Sequence, residues 1–287
     1  MKTKISKKIL ITTIVITIVV VIIIWIVYQN QYHYIFYPTK LDKDHVFSFE
    51  DYENEFEEMW FDVDSNTKIH GLLFRRISDQ GIPYVSNTPQ SDRKLIFYLH
   101  GNSGDLQLWG QIAPVFTYHD HDIFILDYRG YGKSEGRIKS QTQIFSDVKI
   151  VYDKIKENYI ESNITIVGYS IGTGIASYLA SKNSPKALIL NAPYYSLTRL
   201  IREAYPIIPN FLVSFKLETF KYNQECDCPI YIFHGTEDEM IPIEHSNDLA
   251  NLFTKKEDHF YILDGIDHIN INEDRNYHNL ISNILLD

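Results

Sequence analysis

The sequence predicts an α/β protein, a mostly parallel central sheet with helices on both faces, carried behind one membrane-spanning helix. Three observations lead there. Residues 9–28 run without a charge and are mostly Ile and Val. From Lys94 onward, short apolar runs alternate with stretches of helical length and spacing, the pattern of a parallel sheet covered on both sides. Finally, Gly168-Tyr169-Ser170-Ile171-Gly172 lies where one such run meets one such stretch.

The size suits a single large domain. Of 287 residues, 45% are hydrophobic and 22% charged, ordinary globular usage that excludes a disordered or fibrous chain. A formal net charge of -10 excludes a phosphate-backbone partner, which needs concentrated basic surface, so no nucleic-acid role is expected. Cys226 and Cys228, the only cysteines, are read as ordinary thiols because one intervening residue disfavours an unstrained bridge.

The order along the chain begins with a basic tail (1–8) and the apolar segment (9–28). At about 1.5 Å per residue, that segment matches a bilayer core of about 30 Å. It ends in Trp25, Ile26, Val27 and Tyr28 rather than in the small residues of a cleavage site, so an uncleaved anchor is expected. Lys2, Lys4, Lys7 and Lys8 precede it and the next Lys or Arg is Lys40. That bias predicts a cytoplasmic N-terminus and a large domain on the other side. A linker (29–45) then leads to the domain (46–287).

Within the domain, Phe56–Val63 and Lys68–Arg76 read as an N-terminal antiparallel hairpin, and Gly81–Asp92 as a loop. The parallel strands are expected at Lys94–His100, Asp122–Asp127, Ile164–Tyr169, Ala187–Asn191, Ile230–His234 and Phe260–Leu263. Helices are expected at Gln141–Asn158, Ile171–Lys182, Ile243–Phe253 and Glu273–Leu286. Residues 194–225 are too long for a plain connection and rich in apolar side chains; they are read as a partly helical lid in which Phe211 and Leu212 help to bind substrate.

The chemistry centres on Ser170. A sharp strand-to-helix turn lifts a hydroxyl above the sheet, and it requires small residues at both glycine positions. A serine needs a base, and in such an arrangement the acid and then the histidine follow it in the chain. Asp238, just beyond a strand in His234-Gly235-Thr236-Glu237-Asp238, and His268, just beyond the last strand, satisfy that order. Most of the other histidines fail on position: His100 ends a strand and orders its loop, His119 and His121 precede a strand, His259 opens one, and His278 sits inside a helix. Donors for a developing oxyanion are expected from the N–H of Ile171 and from that of Asn102 in His100-Gly101-Asn102-Ser103-Gly104, with Ser103 as the alternative.

Taken together, these motifs and Leu126-Asp127-Tyr128-Arg129-Gly130-Tyr131-Gly132-Lys133-Ser134 resemble those of membrane-anchored α/β-hydrolases related to yeast bud-emergence hydrolases and mammalian depalmitoylating hydrolases. The resemblance runs from about Lys68 to the C-terminus. It implies the α/β-hydrolase fold, a serine esterase or thioesterase and no cofactor, with residues 126–134 as a structural loop at the active-site end of the sheet. One departure is plain: the mammalian members attach through acylated N-terminal cysteines or other anchors, and this chain has no N-terminal cysteine. The expected partners are a small-molecule or lipid-like acyl substrate and a membrane. The competing functions are a serine peptidase of the same fold and a non-catalytic, membrane-tethered binding protein; a scaffold has no physical need for all three catalytic groups.

Overall fold

In the computed structural model, which describes residues 7–50, 56–76 and 92–286, the apolar segment is one continuous helix, Lys7–Gln29 (α1), with no buried residue. Its composition and length fit a bilayer, although a signal sequence near an N-terminus has the same character. Of the loop expected at Gly81–Asp92, residues 81–91 lie outside the described residues, as do Lys2 and Lys4.

The segment expected as a linker is packed against the domain. Tyr32–Ile35 (α2) buries Ile35, and Phe36 is buried edge-on against Phe215 with ring centroids 5.4 Å apart. Tyr37–Pro38 (β1) then pairs in parallel with Ser103–Gly104 (β5). Neither contact leaves a periodic trace in the sequence.

Phe56–Asp64 (β2) and Thr67–Phe74 (β3) form the expected antiparallel hairpin. They are followed by Leu95–Leu99 (β4), β5, Leu106–Trp109 (α3), Ala113–Thr117 (α4), Asp122–Leu126 (β6), Gln141–Ile155 (α5), Ile164–Tyr169 (β7), Ile171–Ser181 (α6) and Ala187–Asn191 (β8). Leu197–Ala204 (α7), Thr219–Gln224 (α8), Ile230–Gly235 (β9), Glu244–Ala250 (α9), His259–Leu263 (β10) and Arg275–Leu286 (α10) complete the chain. The main sheet has the order β10-β9-β8-β7-β4-β6-β3-β2, parallel from β10 to β6 and antiparallel beyond. Short α3 and α4 have no counterpart in the sequence reading, because Gly110 and Pro114 break the helical pattern there; Asp105 caps α3 by accepting from the N–H groups of Gln107 and Leu108.

Strands β4, β6, β7 and β8 are buried along their whole length. Their side chains alternate between two cores, so Phe97 and Leu99 pack with α5 and α6 while Ile96 and Tyr98 pack with α4 and α10. Helices on both faces leave only the strand ends open, and in a parallel sheet the carboxyl ends of β4, β7, β9 and β10 point to one side.

Candidate active site

At the carboxyl end of β7 the chain turns abruptly into α6, and Ser170 takes φ 51° and ψ -119° at the corner. A non-glycine residue holds such a conformation only where its surroundings enforce it. Two constraints do so. The Ser170 N–H donates to the Asn191 carbonyl of β8 at 2.9 Å, and the flanking glycines let neighbouring chain pass very close. A Cβ at Gly168 would stand 2.7 Å from Cβ of Ala176, and one at Gly172 would stand 2.1 Å from the Leu99 carbonyl oxygen. Because a backbone carbonyl in a central strand cannot yield, Gly172→Ala is expected to cost at least the upper part of the roughly 1–3 kcal/mol typical of overpacking. Urea denaturation measures it, and an unchanged midpoint would contradict the tight elbow.

The structure brings the three predicted residues together. His268 Nε2 is 3.0 Å from Ser170 Oγ, and His268 Nδ1 is 2.7 Å from Asp238 Oδ2. Burial pushes the Asp238 carboxyl up, but hydrogen bonds from His234 and His268 and the N–H of Ile241 outweigh it and hold the group well below the ordinary carboxylate range. An ionised Asp238 only accepts, so Nδ1 of His268 carries the proton and Nε2 is left to accept from the Ser170 hydroxyl. Asp238 Oδ1 is occupied separately by the N–H groups of Met240, at 2.9 Å, and Ile241, at 2.8 Å.

Above the end of β4, the loop 100–104 approaches Ser170 so closely that a Cβ on Gly101 would lie 3.8 Å from the serine Cβ. The Gly101 carbonyl accepts from His100 Nδ1 at 2.7 Å, and a trans peptide directs the Asn102 N–H the opposite way. The Asn102 carbonyl accepts from the Tyr37 N–H at 2.9 Å and from Tyr131 Oη at 2.7 Å, while Tyr128 Oη donates to the His100 carbonyl at 3.0 Å. Residues 126–134 thus contribute two tyrosine hydroxyls that hold this loop. Ile171 is the first residue of α6, so its N–H has no acceptor within the helix.

Two residues of the site stand inside motifs of the sequence but have no role assigned to them there. Tyr169 Oη donates to the His268 carbonyl at 2.5 Å and to that of Ile269 at 3.2 Å, fixing the histidine loop from below. Buried His234 lies 3.2 Å from Asp238 Oδ2 through Nε2, which also donates to the Ile241 carbonyl at 2.8 Å; its Nδ1 meets Ser246 Oγ at 2.6 Å. The only sequence signals were their places beside Ser170 and at the end of β9.

The lid residues behave differently from expectation. Leu197, Val213, Phe215 and Leu217 are buried in the core, whereas Phe211 is 80% exposed and Leu212 only half-buried. Pro206 and Pro209 end α7 and carry the chain outward, so Phe211 lies on the outer surface rather than in a covered wall. Cys226 and Cys228 are free and buried. Among the described residues, no group of three or more His, Cys, Asp or Glu side chains is arranged to hold a metal ion.

Comparison with known proteins gives a consistent picture. The family model Hydrolase_4, described as serine aminopeptidase S33, matches residues 90–221. The chain is 26% identical over 205 residues to the lysophosphatidylserine lipase ABHD12 of Danio rerio, covering 63% of this chain and 52% of that protein. It is 31% identical over 171 residues to the alpha/beta hydrolase domain-containing protein 17C of Xenopus tropicalis, covering 58% and 53% respectively. The chain therefore spans about half the length of these two curated relatives. Among solved structures, the esterase Pf2001 of Pyrococcus furiosus superposes with a TM-score of 0.66 at 17% identity over 88% of this chain and 97% of that one, a likeness of fold.

Proposed function

The chain has the α/β-hydrolase fold, and on that premise we propose that it is a membrane-anchored serine hydrolase that cleaves carboxylic esters or thioesters through an acyl-enzyme on Ser170. The observation that carries this reading is the hydrogen-bonded series from Ser170 through His268 to Asp238. Ser170 Oγ attacks the acyl carbonyl while His268 Nε2 takes its proton, and Asp238 stabilises the resulting imidazolium. The N–H groups of Asn102 and Ile171 receive the charge that develops on the carbonyl oxygen. His268 then protonates the leaving alcohol or thiol, and water activated by the same histidine releases the acid. None of these steps calls for a cofactor.

Fluorophosphonate labelling of the full chain in detergent, followed by a panel of esters and thioesters of increasing acyl length, tests the reading. Absence of a covalent adduct on Ser170 would overturn it. The family model's description favours one other reading, an aminopeptidase; turnover of aminoacyl amides with no turnover of esters would establish that instead.

The anchor is α1, with the N-terminus cytoplasmic and the hydrolase domain on the opposite side, a reading supported by the lysines ahead of the span. Protease added to intact cells is expected to digest the domain. Digestion only after the cytoplasmic side is opened would reverse the orientation.

A further inference from the structure

We propose that the outer end of the excursion between β8 and β9, Tyr205 to Phe211, seats in the interface of the same bilayer that α1 crosses. The inference rests on the reading of α1 as a membrane anchor and extends the proposed function by naming where the acyl substrate comes from: a membrane-borne acyl compound rather than one dissolved in water.

The first observation is exposure without a partner. Tyr205 is 62% exposed, Ile207 91% and Phe211 80%, in a stretch from Tyr205 to Leu212 that has no charged residue. Single exposed apolar side chains are ordinary, but a contiguous group marks a surface that meets something apolar. The backbone is prepared for it. Pro206 and Pro209 have no N–H to leave unpaired, and the N–H groups of Tyr205, Ile208 and Leu212 donate to the carbonyls of Ile201, Tyr205 and Pro209 at 2.7, 3.0 and 3.0 Å.

The second observation identifies the occupant. Gln31 stands two residues beyond the end of α1 at Gln29. Its Nε2 donates to the Leu212 carbonyl, and its Oε1 accepts from the Ser214 N–H at 2.9 Å and from Ser214 Oγ at 3.0 Å. The residue that clasps the excursion is therefore the one at which the chain leaves the bilayer, and Phe211 adjoins the clasped Leu212. Trp25 and Tyr28 at the end of α1, with Tyr34 and Tyr37 just after it, are exposed as well. These are the side-chain types that collect at the membrane–water boundary. A second copy or a soluble protein would also cover an apolar patch, but neither accounts for its attachment to the exit of the anchor.

The test uses the full chain in phosphatidylcholine nanodiscs, with a benzophenone amino acid replacing Val20, Ile207, Phe211 or Ile160 in turn, and mass spectrometry of the photoproducts. Ile160 is exposed at the opposite end of β7 from Ser170 and serves as the remote position. Unfolding midpoints equal to that of the native chain show that each variant folds. Phospholipid adducts at 20, 207 and 211, with none at 160, are expected. Adducts at 20 without any at 207 or 211 would overturn the proposal and leave the anchor intact. Crosslinks from 207 to another copy would overturn it in favour of self-association. Absence of adducts at 20 would remove the anchor itself and the proposal with it. None of these readouts depends on Ser170 chemistry, so failure of the hydrolase reading is seen separately as absence of fluorophosphonate labelling.

Discussion

Ser170→Ala is expected to abolish fluorophosphonate labelling and to lower kcat by a factor of about 10⁶, the scale on which loss of a triad nucleophile acts. The variant should fold normally, because the hydroxyl removed is bonded to His268 Nε2 while the strained corner is held by the serine N–H and the flanking glycines. Ester hydrolysis compared with native protein, beside unfolding midpoints for both, reads the two effects apart. Labelling that persists on a different serine in the purified variant would end the assignment.

Asp238→Asn is expected to lower kcat by about 10⁴ while leaving the fold in place. The reason lies in how the carboxylate is held. Oδ1 accepts from two backbone N–H groups, so the amide oxygen of an asparagine must occupy that site. Its NH₂ is then forced to face His268 Nδ1, which must switch from donating to accepting. Nε2 becomes the protonated nitrogen, pointing an N–H at Ser170 Oγ where a base is needed. An NMR measurement of the imidazole tautomer distinguishes this from simple loss of structure. A variant that retained native turnover would show that Asp238 does not orient the base.

How much of this was legible in the sequence follows from the range of the forces involved. The elbow was legible because its requirements are local: close packing of Gly168 and Gly172 leaves no room for a side chain, and only adjacent residues set that geometry. Asp238 and His268 were locatable because a parallel sheet aligns its strand ends, so counting strands predicts which loops meet. His234 and Tyr169 were not singled out, since each acts through contacts that no periodicity records; the Tyr169 hydroxyl reaches a carbonyl 99 residues away. The hairpin and buried strands followed from alternation and apolar runs. The pairing of β1 with β5 did not, because a two-residue strand has no pattern. Phe211 shows the limit of reasoning from composition: an apolar residue two positions past Pro209 is expected inward, and the turn carries it outward.

The pairing of β1 with β5 also bears on how the protein can be handled. Cutting at residue 46, where the domain boundary falls on sequence grounds, would remove the Tyr37 N–H and the Ile35 carbonyl that engage Asn102, together with the bonds that Thr39 and Leu41 exchange with Gly132. A version trimmed there would lose helix α1 at the expense of the loop beside Ser170. The cut that separates α1 from the domain without loosening Asn102 lies ahead of Gln31, so the residues just past α1 behave mechanically as part of the domain that holds Ser170.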